Sequence, residues 1–566
     1  MPRQQGVMSA YQLMGHTHTG VGQGGQLSWI DALYNKPFVD VREFGALGAG
    51  GDYTVEIQAA IDSLAVTGGM VYFPRGAYVI SALITVPANI IIFGDKAATV
   101  ITLANGSDCD MFSVANTEAW VKFLDFTLDG NRANQTAGAG LSLAGDNIEV
   151  LGCIIHDTWH NAVSISATAD VIRIKDNLIY DIGGAGIDPS SEGLGIYGTG
   201  NNQRFLNNEI YGIRGTAGIR ALACDNVVIE NNHIYNTFYR GIMLSGGGTT
   251  WKVKGNNCHN MGSINDTGSG VGCNGIFVMA DLTGDLVISK NTIKQVAENG
   301  IEVLSPGGII SKNQIKETGF YNATLPTPSE QGISIGNGNS VEGNRIEEAG
   351  HEGIKAYSVG AIEDISITNN RVINSGQVAN DDGILLHASG GGGSIQNCVI
   401  RGNRSYDTGG GTQTRGINLS STAGASPAVN CVVTGNICFG NITGQIVCPG
   451  LGNEIFNNIP NLGLNLSSPT ELTIVAGVIT ITKSSHTVDG EGDLADDLDT
   501  INGGADGMML VLKEENVGRA ITVRDTVGNI ELEGGVNMVL NALLKRLYLF
   551  YDGTLAKWIE KSRFNG

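Results

Sequence analysis

Glu330, His351, Glu352, Asp381 and Asp382 fall at one place in successive repeats of the chain, immediately ahead of a Gly-Ile dipeptide. Carboxylates brought close together are the groups that hydrolyse glycosidic bonds: one gives a proton to the leaving oxygen and the other acts as base or nucleophile. Aligned on that glycine, the position two before it reads Glu298, Glu330, His351 and Asp381, and the position just before it reads Asn299, Gln331, Glu352, Asp382 and Arg415. Two residues after it stand Glu302, Ser334, Lys355, Leu385 and Asn418, while earlier repeats place Arg220, Tyr239, Arg240 and Met243 in corresponding positions. Glu352 and Asp382 are the expected acid and base, with Asp381 and Glu330 as further catalytic candidates. His351, Lys355, Arg415, Glu302 and Tyr357 are expected to hold substrate. Crowding of the carboxylates is expected to raise the proton affinity of at least one of them. Two other readings fit the same column: solvated turn residues or a subunit contact, and a calcium site with Lys355 or Arg415 serving lyase chemistry. The primary reading needs no metal and no cofactor.

Such a column requires a repeating scaffold, and ten segments repeat the pattern Gly-Ile-x-apolar followed by apolar-x-x-Asn-x-apolar. The asparagines are Asn208, Asn232, Asn256, Asn291, Asn313, Asn344, Asn370, Asn403, Asn436 and Asn458, spaced 22 to 35 residues apart. A repeat of that length, with period-two alternation as in Gly300-Ile301-Glu302-Val303, predicts the coils of a parallel β-helix. The asparagines then stack coil on coil, hydrogen-bonding one another and the turn backbone. Coils rise about 4.8 Å. Carboxylates one coil apart are therefore about 5 Å from each other and those two coils apart about 9.5 Å, which suit retaining and inverting glycosidases respectively.

Glycine, at 82 of 566 residues, serves the many turns. The odd count of 9 cysteines, with no Cys-x-x-Cys pair, predicts free thiols. Cys398 and Cys431 share the frame Asn-Cys-Val and read as stacked core residues. A formal charge of −21 argues against nucleic acid as partner. No apolar stretch approaches 18 residues, and residues 1–20 do not read as a secretory signal, so neither membrane insertion nor signal-driven export is expected.

Residues 1–36 read as a connector or virion-attachment segment, 37–461 as the β-helix and 462–566 as a β-rich cap, trimerisation or receptor domain. An amphipathic helix over Thr54–Leu64, burying Val55, Ile57, Ala60, Ile61 and Leu64, is expected to cover the first coil. Strands are expected over Thr473–Thr482, Gly507–Leu512, Arg519–Arg524 and Arg546–Tyr551, with the acidic run Asp489–Asp499 as a solvated turn. Trp120, Trp159, Tyr197, Tyr235, Phe238, Tyr239, Trp251, Phe320 and Tyr357 are candidate rings for stacking on sugars.

The stretch from Phe38 to about Ala98, FVDVREFGALGAGGDYTVEIQAAIDSL onward, resembles the start of the pectate-lyase-like right-handed β-helix superfamily, which includes phage tailspikes and mannuronan epimerases. DFTLDGNRANQ, Asp125 to Gln135, is similar to a segment of the epimerase module. Where the epimerases carry Tyr-Gly-Phe-Asp-Pro-His, this chain has Asn161, Ala162, Val163, Ser164, Ile165 and Ser166, so the resemblance does not carry epimerase chemistry with it. Gly186-Ile187-Asp188-Pro189 echoes the motif one coil later. GHTHTGVGQGGQL, Gly15 to Leu27, resembles segments of tail fibres and tailspikes, and DLDTINGGADGMMLVL with VRDTVGNIEL and YDGTLAKWIE resembles a carboxyl-terminal domain of phage tail proteins.

The resemblance implies a homotrimeric phage tailspike or tail fibre, attached to tail or baseplate proteins through its amino terminus and acting extracellularly at the host surface. Its implied ligand is a bacterial surface polysaccharide. Whether it also cleaves glycosidic bonds is left open by the sequence, with hydrolysis favoured over elimination. The alternatives are a non-catalytic adhesive or structural tail component and a lyase- or epimerase-like enzyme.

Overall fold

The computed structural model describes residues 37–564 apart from 185–192, 263–271, 283, 320–329, 379, 390–392, 410, 422–427, 449–452, 457, 459–468, 491, 505, 517 and 543. The connector and the motif at Gly186 lie outside the described residues.

Each coil contributes three short strands, as in Asn201–Leu206, Glu209–Ile213 and Ala217–Leu222. The first two strands of every coil stack into a long parallel sheet bent along its length, and the third strands stack into a second parallel sheet of 14 strands. Strand pairing joins each coil to the next with inward isoleucines in register, Ile301 on Ile333, Ile333 on Ile354, Ile354 on Ile384 and Ile384 on Ile417. One hydrophobic cluster runs through these coils, from Val41 to Ile446. The expected parallel β-helix is therefore the observed architecture.

The bend between the first two strands explains the asparagines. Asn232 Oδ1 accepts from both Asn208 N and Asn208 Nδ2 at 2.9 Å, while Asn232 donates to Asn256 Oδ1 and to Phe205 O. The same pattern repeats through Asn436 to Asn458. The ladder begins one coil earlier than the sequence repeat indicates, at Asn177, which donates to Asn208. The residue before each ladder asparagine from Asn177 to Asn436 takes the left-handed conformation that turns the chain, for example Asn207, Asn231 and Gly255. A buried bend thus satisfies its polar groups without water.

The Gly-Ile dipeptide has a steric cause. A Cβ on Gly332 would stand 2.6 Å from Gly353 O, and one on Gly353 would stand 2.8 Å from Gly383 O. Glycine lets the leading turn of the third strand lie directly on the next coil. That close stacking aligns the polar column.

The capping helix spans Thr54–Asp62 and buries Ile57, Ala60 and Ile61, with Leu64 just beyond it. Val55 is 77% exposed, contrary to expectation, because it sits in the first turn on the side away from the coil. All nine cysteines are free, and Cys398 and Cys431 are buried in adjacent coils.

The last coil strand is Glu454–Phe456, and Asn458 ends the ladder. Residues from Ile474 to Trp558 build a second hydrophobic core. A six-stranded sheet there includes Met509–Glu514 and Arg546–Asp552. The acidic run is an exposed turn only in its middle, at Gly492, Asp493 and Leu494, while its ends belong to the strands Ser485–Asp489 and Ala495–Leu498, with Leu498 in the core and Asp489 paired with Arg519 at 2.5 Å. Apolar neighbours at alternate positions override its charge. Among the described residues no helix is long and apolar enough to cross a membrane.

Candidate functional site

The sheet of third strands presents an outward row that reads, coil by coil, Tyr197, Arg220, Met243, Phe277, Glu302, Ser334, Lys355, Leu385 and Asn418. Its leading turns supply a second row one residue before each glycine. The register therefore brings the sequence column together in space, with Glu330, His351, Glu352, Asp381 and Asp382 on neighbouring coils. A cleft of about 840 Å³ lies over this part of the sheet, lined by Glu302, Gln331, Ser334, Lys355 and Tyr357 among others.

Glu352 is buried and receives two donors that also line the cleft. Lys355 Nζ lies 3.0 Å from its Oε1, and Gln331 Nε2 donates to its Oε2 at 3.0 Å. Asp382, one coil on, accepts from Asn418 Nδ2 at 2.7 Å and faces Arg415 Nη1 at 3.5 Å. Burial raises the Asp382 carboxyl above the usual range, against the pull of Asn418 and Arg415, and the negative charge of Glu352 adds to the rise. His351 Nδ1 lies 2.5 Å from Asp381 Oδ2, and its Nε2 lies 3.9 Å from Glu330 Oε2. The Asp381 hydrogen bond raises the imidazole's proton affinity.

Glu330 is only 1% exposed, and its Oε2 has no hydrogen-bond partner. Burial pushes its carboxyl up to about 7, partly opposed by His351. The expected cause of raised proton affinity is crowding, but desolvation is the larger effect at both Glu330 and Asp382.

Glu298 stands in the aligned column but not among the site residues expected from the sequence. It is also pushed up to about 7 by burial, although Gly272 N and Cys273 N donate to it. Glu302 accepts from Asn274 Nδ2 at 2.8 Å. Asn274 occupies the same row as Asn299 and Gln331, which the Cys-Asn-Gly-Ile spelling at 273–276 signals once the register is known. Tyr357 is half exposed; its ring stacks on His387 at 5.9 Å and its hydroxyl accepts from Ser389.

Ligand atoms of His351, Glu352 and Asp381 lie within 4.8 Å of one another, a spacing a cation would fit. The Lys355 ammonium already sits on Glu352, supplying positive charge where such an ion would bind. Asp129, His156 and Asp157 form a similar cluster, in which Arg132 pairs with Asp157 at 3.3 Å.

Of the aromatic candidates, Trp251 is a core residue, 1% exposed, with its indole donating to Cys224 O. Tyr235 stands in a stacked outward series with Tyr180, Tyr211 and His259 on the second strands, away from the cleft. Trp120 is largely exposed on the outer face of the first strands. Phe320 lies outside the described residues.

The family model for a right-handed β-helix region matches residues 192–372 and 269–438. A tailspike protein double mutant of E. coli bacteriophage HK620 is similar in structure, with a TM-score of 0.51 at 12% identity, covering 74% of this chain and 79% of that one. The solenoid is a right-handed parallel β-helix. Gene product 12 of bacteriophage phi29 is similar with a TM-score of 0.44 at 16% identity over 80% of this chain and 63% of that chain. The A-module of an Azotobacter vinelandii mannuronan C-5 epimerase gives 0.35 at 17% identity over 74% of this chain and 98% of the other. No curated protein matches the chain in sequence.

Proposed function

We propose that the chain is a homotrimeric phage tailspike or tail fibre whose sheet of third strands binds a bacterial surface polysaccharide and cleaves its glycosidic bonds. The observation that carries the reading is the stacked set Glu330, His351, Glu352, Asp381 and Asp382 at a cleft whose lining residues Gln331 and Lys355 both hold Glu352. A row of protonatable and charged groups along a rod suits a long polymer laid on it. The two ends of the chain, by their resemblance to tail proteins, support attachment to a virion through residues 1–36 and assembly or capping through 462–566.

In the cleavage step Asp382, whose burial favours the protonated form, gives its proton to the leaving glycosidic oxygen as the anomeric C–O bond breaks. Glu352 attacks the anomeric carbon to form a glycosyl ester. Water, giving its proton to Asp382, then breaks that ester and restores both groups. Lys355, Arg415, His351, Glu302 and Tyr357 orient the sugar.

A second reading is favoured by one observation: Glu352 and Asp382 are both buried and both paired with cations, as structural charges are. On that reading the protein adheres without turnover. The experiment is to incubate the purified full chain with host capsule or lipopolysaccharide and assay for new reducing ends and for absorbance of unsaturated sugars. Reducing ends that vanish in Glu352→Ala and Asp382→Ala, with binding kept, support hydrolysis at this site. Binding without product supports adhesion, and unchanged turnover in the two variants removes the assignment.

A further inference from the structure

Upstream of the carboxylates the outward row and the row just ahead of its glycines change character. Arg220 and Arg240 stand in adjacent coils, Arg220 in register with Met243 and Arg240 with Ala217. The Arg240 guanidinium lies over the Phe277 ring, 4.4 Å from its centroid, and that of Arg220 lies 5.7 Å from the centroid of Tyr197. Leu194, Met243 and Phe277 pack with them into a small apolar cluster on this outer face, separate from the core.

Both arginines are incompletely satisfied. The Nε of each is buried without a hydrogen-bond partner, and among the described residues neither guanidinium has a carboxylate within 4.0 Å. Burial lowers the proton affinity of Arg240 even though Glu298 and Glu302 oppose that loss from farther along the groove. In a chain of formal charge −21, with carboxylates two and three coils away, two neighbouring arginines held on aromatic rings instead of on acids are positioned for something outside the chain. Stacking fixes the planar guanidinium and leaves its N–H edge free for a forked contact with an oxyanion. Of the rings beside it only Tyr197 is partly open, the rest of the apolar cluster being buried beneath the guanidinium groups, and such a ring suits the face of a pyranose.

We propose that Arg220 and Arg240 form an anion subsite of the groove, recognising a carboxylate- or phosphate-bearing sugar of an acidic surface polysaccharide about five and four coil rises, roughly 24 and 19 Å, from Glu352. The inference rests on the polysaccharide reading of the same groove and narrows it to acidic polymers. Farther along the groove Lys355 and Arg415 are already paired with Glu352 and Asp382, so the anionic substituent is held where the two unpaired cations lie and uncharged sugars pass over the carboxylates.

The test uses the full chain and an arrayed panel of purified bacterial capsular polysaccharides that are uronate-bearing, phosphate-bearing or neutral. Retention of acidic polymers alone is the expected result. For a retained polymer, Arg220→Gln and Arg240→Gln should each raise Kd about tenfold, while Lys252→Gln, which removes an exposed charge from the outer face of the first strands, should not. Chemical reduction of the uronate carboxyls to neutral sugars should cost the unmodified chain the same factor, a measurement independent of how the variants fold; loss only on removing phosphate assigns the oxyanion as phosphate. Retention of neutral polymers with no effect of the arginine variants overturns the subsite and leaves the polysaccharide reading standing. Absence of binding to every polysaccharide overturns both.

Discussion

His351 and Asp381, thirty residues apart in the chain, meet at 2.5 Å between Nδ1 and Oδ2 because their coils are stacked and both stand two residues ahead of a stacked glycine. The carboxylate raises the imidazole's proton affinity. Its contribution to stability is therefore fully present below the unfolded histidine pKa of about 6.5 and is lost as pH rises through the higher folded value. Asp381→Asn should move the His351 ring-proton titration downward by NMR. It should cost about 1 kcal/mol at pH 6 and less at pH 9, as expected for a partly open charge-assisted hydrogen bond.

Glu330 gives a second pH dependence. Burial raises its carboxyl to about 7, so the folded chain holds a proton that the unfolded chain releases near 4.5. Stability from this group is complete below about 4.5 and falls as pH rises to about 7. Glu330→Gln should gain on the parent by roughly 2–3 kcal/mol between pH 4.5 and 8, because each tenfold difference in proton affinity between the folded and unfolded chains is worth about 1.36 kcal/mol. Thermal melts at the two pH values read the difference; parallel curves would place Glu330 in a wetter setting than its burial indicates.

Asn313 accepts from Asn291 N and Nδ2 and donates to Asn344 Oδ1 and Ile288 O. Asn313→Ala leaves two buried donors of Asn291 without an acceptor, a loss of roughly 2–5 kcal/mol. Urea unfolding rates should rise accordingly. A change under about 1 kcal/mol would mean that water enters the bend.

Val171 takes φ 58°, a left-handed conformation unfavourable for a β-branched residue, and is half exposed. Its neighbours in the same column, Asn147 and Asn202, share that backbone with side chains that tolerate it. Val171→Asn should stabilise the chain by about 1 kcal/mol, read as a higher Tm.

Stereochemistry tests the acid and nucleophile. Glu352 and Asp382 are one coil, about 4.8 Å, apart, close to the separation of about 5 Å that goes with retention. Proton NMR of the first product should show the substrate's anomer. Inversion would instead favour carboxylates two coils apart, such as Glu330 and Asp382.

The coil architecture is legible because asparagine and glycine mark positions where a bend must satisfy its own backbone and where one coil lies on the next. The column of site residues is legible for the same reason: aligning sequences on Gly-Ile is aligning them in space. What the chain does not disclose is desolvation. That Glu298 and Glu330 are buried beneath the leading turns, that Trp251 fills the core, and that Asp489 is clamped by Arg519 all depend on contacts between coils or strands distant in sequence. Val55 departs from expectation because a helical wheel does not say which flank the first turn faces outward.

The outward row runs from Tyr197, Arg220 and Phe277 at one end to Glu302, Lys355 and Asn418 at the other, so the groove has a head and a tail. A linear sugar chain is also directional. On the proposed polysaccharide reading, only one of its two ways of lying down matches charge to charge, which would fix the terminus of the sugar chain that points toward the capping helix.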